Sequence, residues 1–251
     1  MNSEINQMIT NLLPLARQAG EAIMEVYRQG IEANEKSDGS FVTQADLRAE
    51  GIILQGLRDL AADIPVISEE NADSHRLEPP VRFFLVDPLD GTAEFVKADG
   101  KGAFTVNIAL VDQGGPVAGI IYAPALDELY WGIVGQGAFF NDQPIASRQP
   151  QPDALVALAS RSHRDEQTND WIADNPITDT VSIGSSLKFC LIARGEADIY
   201  PRFGPTMEWD TAAGHAILCA AGGRVEHPDG SDFTYGKPGY RNGPFIAKGF
   251  L

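Results

Sequence analysis

One segment, DPLDGT at residues 87–92, constrains the fold of this chain more than any other stretch. It follows an apolar run at residues 83–86 that predicts a β-strand, and a helical turn can begin directly after it. Two carboxylates therefore stand at a strand end, where Pro88 stiffens the turn and Gly91 lets the backbone approach a ligand. Such oxygen ligands suit Mg²⁺, and backbone amides at a helix start suit an anion. The segment predicts a site that binds a metal ion and a phosphate together.

The chain is strongly acidic, which restricts its partners. Its 251 residues include 35 Asp and Glu but 19 Lys and Arg, a formal net charge of −16 at pH 7. This balance argues against binding nucleic acid polymers, and it would repel a phosphorylated substrate unless bound cations reverse the field locally. The sequence shows no basic-then-apolar leader and no apolar run that could form a transmembrane segment. We therefore expect a cytoplasmic enzyme.

The order of predicted elements divides the chain into two halves. Residues 1–148 predict two N-terminal helices, the first kinked or restarted at Pro14, followed by a mostly antiparallel sheet. Residues 149–251 begin in a proline-rich stretch and alternate strands with helices, and the last clear element is a helix over 209–221. The first half is therefore predicted to be α+β and the second α/β.

Three more acidic positions stand at the ends of predicted elements. Glu69 follows a short strand at residues 64–67, and Asp210 opens the last helix. Asp46 begins the second helix, where its spacing from Thr43 fits a capping box, so spacing alone favours a cap over a role at a metal site. Each position taken alone is explained structurally. Together with residues 87–92 they form a set that suits two metal ions activating a water molecule.

These motifs resemble the signature of the lithium-sensitive, magnesium-dependent phosphatases, the superfamily of inositol monophosphatase, fructose-1,6-bisphosphatase and the 3′(2′),5′-bisphosphate nucleotidases. The signature is carried by SEE at 68–70, DPLDGT at 87–92 and WDTAAG at 209–214. The nucleotidase branch is most similar, through residues 86–95, 104–110, 160–163, 184–190 and 200–206. The resemblance covers nearly the whole chain and implies a layered αβαβα sandwich.

The resemblance also implies a role for individual residues. The metal ligands are expected to be Glu69, Asp87, the Leu89 carbonyl, Asp90 and Asp210. Asp46 and Thr92, with Glu69, are expected to act on the attacking water, which reverses the preference for a simple cap at Asp46. The substrate contacts are expected to be Glu69, Leu89, Asp90, Gly91, Thr92, His163, Ser185, Lys188, Arg202 and Asp210. The first half would then carry the metal site, and the second half would complete it and add the nucleotide contacts.

The activity implied by the resemblance is that of a 3′(2′),5′-bisphosphate nucleotidase. Two or more Mg²⁺ ions would activate a water molecule, and Li⁺ would inhibit. The expected substrate is adenosine 3′,5′-bisphosphate, which would lose its 3′-phosphate to give AMP in sulfur assimilation. Action on 3′-phosphoadenosine 5′-phosphosulfate and peripheral association with the inner membrane are left open.

Two alternatives stay open at this point. An inositol monophosphatase-like or sugar-phosphate phosphatase would use the same chemistry, but a monophosphate gives Lys188 and Arg202 no second phosphate to hold. A non-catalytic nucleotide or metal sensor on the same scaffold is the other alternative, although every expected ligand type is present in the sequence.

Overall fold

The structure of the chain is a computed structural model that describes residues 2–30, 33–35, 41–97, 102–151, 153–161 and 164–250. These residues form the helices α1 (Asn2–Gln29), α2 (Gln44–Ala61), α3 (Thr92–Lys97), α4 (Glu166–Asp174), α5 (Leu187–Ala193) and α6 (Glu208–Ala220). Two short 3₁₀ turns span Ser74–Arg76 and Pro238–Tyr240. None of the helices in this described part combines the length and the apolar character that crossing a bilayer requires.

The strands belong to two main sheets and two ribbons. They are β1 (Ala33–Glu35), β2 (Phe41–Thr43), β3 (Val66–Ser68), β4 (Arg82–Asp90), β5 (Thr105–Asp112), β6 (Gly115–Ala123), β7 (Glu128–Ile133), β8 (Gly137–Phe140), β9 (Gln143–Ile145), β10 (Leu155–Ser160), β11 (Ile177–Ile183), β12 (Ile199–Arg202), β13 (Thr206–Met207), β14 (Arg224–Glu226), β15 (Arg241–Asn242) and β16 (Phe245–Lys248).

The large sheet contains β3 to β9 in chain order. Its first pair, β3 with β4, is parallel, and each later pair is antiparallel, as predicted. The smaller sheet has the order β11-β10-β12-β16-β14. Its pairs β11–β10 and β10–β12 are parallel, and its pairs β12–β16 and β16–β14 are antiparallel. The pairs β1–β2 and β13–β15 form separate antiparallel ribbons.

Helices and sheets stack in five layers. Helices α1 and α2 cover one face of the large sheet, where Ile53 packs in one cluster with Phe84. Helices α5 and α6 fill the space between the two sheets, and Ile217 of α6 belongs to a cluster that includes strands of both. Helix α4 covers the outer face of the smaller sheet, with Trp171 against a cluster containing Ile199. The predicted layered αβαβα sandwich is confirmed.

Helix α6 lies very close to the large sheet. A Cβ atom at Gly119 of β6 would stand 2.3 Å from the Ala213 carbonyl oxygen of α6, so only glycine fits at this point. The first turn of α6 carries Asp210, whereas β4 in the same sheet carries Asp87 and Asp90. Tight packing of the helix on the sheet therefore fixes carboxylates from the two halves of the sequence relative to one another.

The structure differs from the predicted elements in three places. Helix α1 does not restart at Pro14, because its buried face, including Leu12 and Ala16, packs on the large sheet and outweighs the lost hydrogen bond; the kink that was the other expected outcome stays a prediction. The first short strand covers Val66–Ser68 instead of residues 64–67. Strands β14 and β16 were not predicted, and they make the second sheet mixed. The division into residues 1–148 and 149–251 stays a prediction.

Candidate active site

Strand β4 extends into the predicted metal-binding segment. Asp87, Leu89 and Asp90 lie within the strand, whose pairing with β5 shifts register between Asp87 and Asp90. Such an irregularity bends a strand and redirects its side chains. The chain then turns at Gly91, whose φ of 87° is the left-handed conformation that glycine adopts without strain, and enters α3 at Thr92. The strand-turn-helix arrangement expected from the sequence is present.

These residues open into a cavity of about 680 Å³. Its walls come from the ends of β3, β4 and β12 and from the first turns of α3, α5 and α6. The predicted site residues that line it are Glu69, Asp87, Leu89, Asp90, Gly91, Thr92, Ser185, Lys188, Arg202 and Asp210. The fold thus brings residues from both halves of the sequence to one space.

The carboxylates of this cavity lie close enough to repel one another. Burial raises the pKa of Asp87 well above its usual range, and the charges of Glu69, Asp90 and Asp210 raise it further. Burial also raises the pKa of Asp210 well above its usual range, and the charges of Asp90 and Glu69 raise it further. Like charges removed from water are unfavourable, and a bound cation relieves both the repulsion and the lost solvation.

The donor set fits a hard cation. Carboxylate oxygens and the Leu89 carbonyl are the ligand types that Mg²⁺ prefers. In the described part of the chain, however, no three His, Cys, Asp or Glu side chains are already gathered closely enough to hold an ion by themselves. Mg²⁺ commonly keeps several waters and shares substrate phosphate oxygens, so a site of this kind does not need a closed protein cage.

Asp90 differs from its neighbours in its partners. Its Oδ2 accepts a hydrogen bond of 2.5 Å from the Ser186 backbone N–H. Burial raises the pKa of Asp90, whereas the charge of Lys188 and this hydrogen bond lower it. The effect of burial is larger, so the pKa stays above its usual value. The Ser186 hydroxyl is itself 2.7 Å from Asn107 Oδ1 on β5, so Asp90 is held by a network anchored in the large sheet. Ser186 was not among the predicted substrate contacts, although it lies beside Ser185 in the motif at residues 184–190.

Asp46 is both a helix cap and a partner of Thr92. Its Oδ2 accepts hydrogen bonds from the Thr43 backbone N–H at 2.8 Å and from the Thr43 hydroxyl at 2.7 Å, which completes the capping box of α2. Its Oδ1 lies 3.3 Å from the Thr92 hydroxyl, which is also 3.0 Å from the Leu89 carbonyl oxygen. Burial raises the pKa of Asp46 to about 6, against the hydrogen bonds from Thr43. The two interpretations of Asp46 are therefore compatible, since each uses a different oxygen.

Lys188 places a buried cation beside the acidic group. Its ammonium donates to the carbonyl oxygens of Ser185 and, at 3.3 Å, Ile183. Burial lowers its pKa to about 8, although the charge of Asp90 acts in the opposite direction. A lysine held in this way is a fixed source of positive charge within the cavity.

Arg202 is the second buried cation. Its Nε donates to the Gly204 carbonyl oxygen at 3.1 Å and its Nη2 to that of Pro205 at 3.0 Å. These bonds fix the plane of the guanidinium at the end of β12. His163, the remaining predicted substrate contact, lies outside the described residues.

Other lining residues were not singled out from the sequence. They include Glu94, Tyr200, Trp209 and Arg241. Arg241 reaches the cavity because β15 pairs with β13, a contact between short segments that show no periodic pattern. No local sequence signal would have identified it.

Comparisons with known proteins identify the family and the fold. The model of the Inositol monophosphatase family matches residues 4–248. The 3′(2′),5′-bisphosphate nucleotidase CysQ of Salmonella typhimurium is 47% identical over 235 residues, 91% of this chain and 94% of that protein. CysQ of Escherichia coli (strain K12) is 44% identical over 236 residues, with the same coverage of 91% and 94%. The crystal structure of CysQ from Bacteroides thetaiotaomicron, a bacterial member of the inositol monophosphatase family, matches with a TM-score of 0.81 and 36% identity over 96% of this chain and 97% of that one. The chain therefore belongs to the inositol monophosphatase family, as its motifs predicted.

Proposed function

We propose that this protein is a Mg²⁺-dependent 3′(2′),5′-bisphosphate nucleotidase that hydrolyses adenosine 3′,5′-bisphosphate to AMP and phosphate. The observation that carries the proposal is one cavity lined by the four carboxylates of the predicted metal site and also by Lys188 and Arg202. A place for a metal-bound phosphate and a place for a second phosphate thus share one space. The nucleotidase name of the CysQ relatives and the general metal dependence of the family support the same function.

The residues proposed to hold the metal ions are Glu69, Asp87, the Leu89 carbonyl, Asp90 and Asp210. Bound Mg²⁺ would neutralise charge on the phosphoryl oxygens and help to activate the attacking water. The carboxylates line the cavity beside Gly91, whose backbone can approach a ligand closely because it carries no side chain. We place the phosphate that is hydrolysed at this end of the cavity, against the backbone amides of Gly91 and Thr92.

Asp46, Thr92 and Glu69 are proposed to act on the attacking water. The Thr92 hydroxyl can donate its proton to Asp46 Oδ1, 3.3 Å away, which leaves its oxygen lone pairs free to accept from a water molecule in the cavity. Asp46 is held in place by its capping bonds to Thr43, so the pair is oriented before substrate binds. Glu69 lines the same cavity and is placed to accept the proton that the water loses.

Lys188 and Arg202 are proposed to hold the phosphate that remains on the nucleotide, together with Ser185 and His163. Their charges are scarce in an acidic chain, and both face the cavity from its second-half wall. This favours a bisphosphorylated nucleotide over an inositol or sugar monophosphate. The carboxylates of the predicted metal site favour an enzyme over a nucleotide sensor, since nucleotide recognition alone does not require them.

Phosphate release tests this proposal. Adenosine 3′,5′-bisphosphate and inositol 1-phosphate are supplied side by side with Mg²⁺, with and without added Li⁺. We expect strong preference for the nucleotide and suppression by Li⁺. Preference for the inositol ester would overturn the substrate assignment and the roles of Lys188 and Arg202. If isothermal titration showed that the nucleotide binds with Mg²⁺ present and no phosphate were released, the protein would be a sensor. The same assay with 3′-phosphoadenosine 5′-phosphosulfate decides whether the sulfated nucleotide is also a substrate.

A further inference from the structure

Arg241 lies at the rim of the cavity on a part of the chain remote from the sequence motifs. Strand β15 pairs with β13, and this pairing sets Arg241 opposite Met207. Both residues line the cavity, and Met207 directly precedes the helix that carries Asp210. The ribbon therefore brings a third cation to a space already lined by Lys188 and Arg202.

The backbone of Arg241 is anchored on both sides. Tyr240 is fully buried, and its hydroxyl donates to the Leu77 carbonyl oxygen at 3.1 Å. Asn242 is also buried, and its amide donates to the Met207 carbonyl oxygen at 2.8 Å. Because side chains alternate along a strand, Arg241 points away from these buried neighbours and its side chain is exposed. A fixed backbone with an exposed cationic head is suited to reach a ligand at the rim.

The guanidinium of Arg241 is not used to stabilise the fold. It makes no hydrogen bond or ion pair with any residue in the described ranges. Arginines elsewhere on the surface, such as Arg17, Arg148 and Arg224, pair with carboxylates. In a chain of net charge −16, an arginine that lines the cavity without a partner among the described residues has donors available to an anion.

We propose that Arg241 is a substrate-binding residue that contacts the phosphate left on the nucleotide and so favours bisphosphorylated substrates. This inference rests on the proposed nucleotidase function. Two N–H groups of Arg202 already donate hydrogen bonds to the carbonyl oxygens of Gly204 and Pro205. The ammonium of Lys188 likewise donates to carbonyl oxygens of its own loop. A phosphate dianion accepts more hydrogen bonds than these two side chains have left, and the planar fork of an arginine matches two of its oxygens.

The two products of the proposed reaction make the test selective. AMP retains the phosphate that Arg241 would contact, whereas inorganic phosphate corresponds to the group removed at the carboxylates. We compare the unmodified protein with Arg241→Gln, measuring kcat and KM for adenosine 3′,5′-bisphosphate and the inhibition constants of AMP and of phosphate. Arg58→Gln is the matched control, since Arg58 is exposed on α2 away from the cavity and the charge change is the same.

We expect Arg241→Gln to raise KM and the inhibition constant of AMP by roughly tenfold to a hundredfold, the range for one charge-assisted hydrogen-bonding group. The inhibition constant of phosphate, kcat and the melting temperature should match those of Arg58→Gln. Arg241→Lys keeps the positive charge, so its KM and its inhibition constant of AMP should rise less than those of Arg241→Gln. An unchanged AMP constant, or an equal rise for AMP and phosphate, would overturn the role of Arg241. Failure of the unmodified protein to hydrolyse the nucleotide would instead overturn the proposed function, and this inference with it.

Discussion

Replacement of Asp46 by Asn separates its role as a cap from its role beside Thr92. Asn keeps a carbonyl oxygen that can accept the capping bonds from Thr43. Its amide group would then stand 3.3 Å from the Thr92 hydroxyl, where it can only donate. The hydroxyl would lose Asp46 as an acceptor and keep only the Leu89 carbonyl oxygen at 3.0 Å, so the amide would compete with the attacking water for its oxygen lone pairs. We expect a fall in kcat of about 10²–10⁴, the usual contribution of a positioned acid-base group.

The stability of Asp46→Asn should change little by comparison. Asp46 is 1% exposed and burial disfavours its charged form, so a neutral side chain of the same shape offsets part of any weakened cap. We expect the free energy of unfolding to change by less than about 1 kcal/mol, a shift in melting temperature of roughly 2–4 °C at most for a chain of this size.

The control is Thr43→Ala, which damages the cap and leaves the Asp46 carboxylate in place. The Thr43 hydroxyl accepts the Ala45 N–H at 3.0 Å, and its loss should cost about 0.5–2 kcal/mol. The Thr43 backbone N–H still donates to Asp46 Oδ2 at 2.8 Å, so we expect kcat to fall far less than in Asp46→Asn. Thermal unfolding and phosphate release are measured on both variants. If Asp46→Asn kept its kcat and lost as much stability as Thr43→Ala, Asp46 would be a cap alone.

Three further predictions follow from single contacts. Asp90→Asn should abolish phosphate release while its melting temperature stays within a few degrees; near-normal turnover would contradict its assignment as a metal ligand. Burial raises the pKa of Asp198, but two hydrogen bonds of 2.7 Å from Arg148, a third from the Val156 N–H and the charge of Arg148 together leave the pKa lowered. The stability from this pair is therefore present above the unfolded pKa near 4 and is lost as pH falls through the folded value. Because Arg148 is 41% exposed, we expect Asp198→Asn to cost only about 1–2 kcal/mol at pH 7 and less at pH 3 in denaturant unfolding; an equal cost at both would refute the ion pair. Gly119→Ala should cost about 3 kcal/mol by forcing α6 away from the sheet, whereas Gly51→Ala, where a Cβ meets nothing within 4 Å, should be neutral or stabilising; equal melting temperatures would refute the close packing.

The features predicted well from the sequence are those that depend on neighbouring residues. The segment at residues 87–92 carries its strand, turn and helix start within a few positions, so its local structure follows from the identity of Pro88 and Gly91. The layered fold followed from several such motifs taken together through the family resemblance. The restart that was one of two outcomes expected at Pro14 does not occur, because packing on the large sheet, which local propensity does not describe, holds α1 together as one helix.

The features missed from the sequence depend on distant contacts. Spacing identified the cap at Asp46, whereas only the family resemblance paired Asp46 with Thr92, which lies 46 residues further along the chain. Ser186 supports Asp90 across 96 residues. Arg241 joins the cavity only through a two-residue ribbon. Residue spacing does not predict these pairings, since each depends on how helices, strands and ribbons distant in the sequence pack together.

The central claim is that one cavity holds metal ions at its carboxylates and a nucleotide phosphate at its cations. A crystal structure of the protein with Mn²⁺ and AMP tests it directly, because the anomalous signal of Mn²⁺ locates the ions independently of the protein. We predict Mn²⁺ among Glu69, Asp87, Asp90 and Asp210, and the AMP phosphate at Lys188 and Arg202. Mn²⁺ bound away from these carboxylates, or an AMP phosphate that contacts neither cation, would contradict the claim.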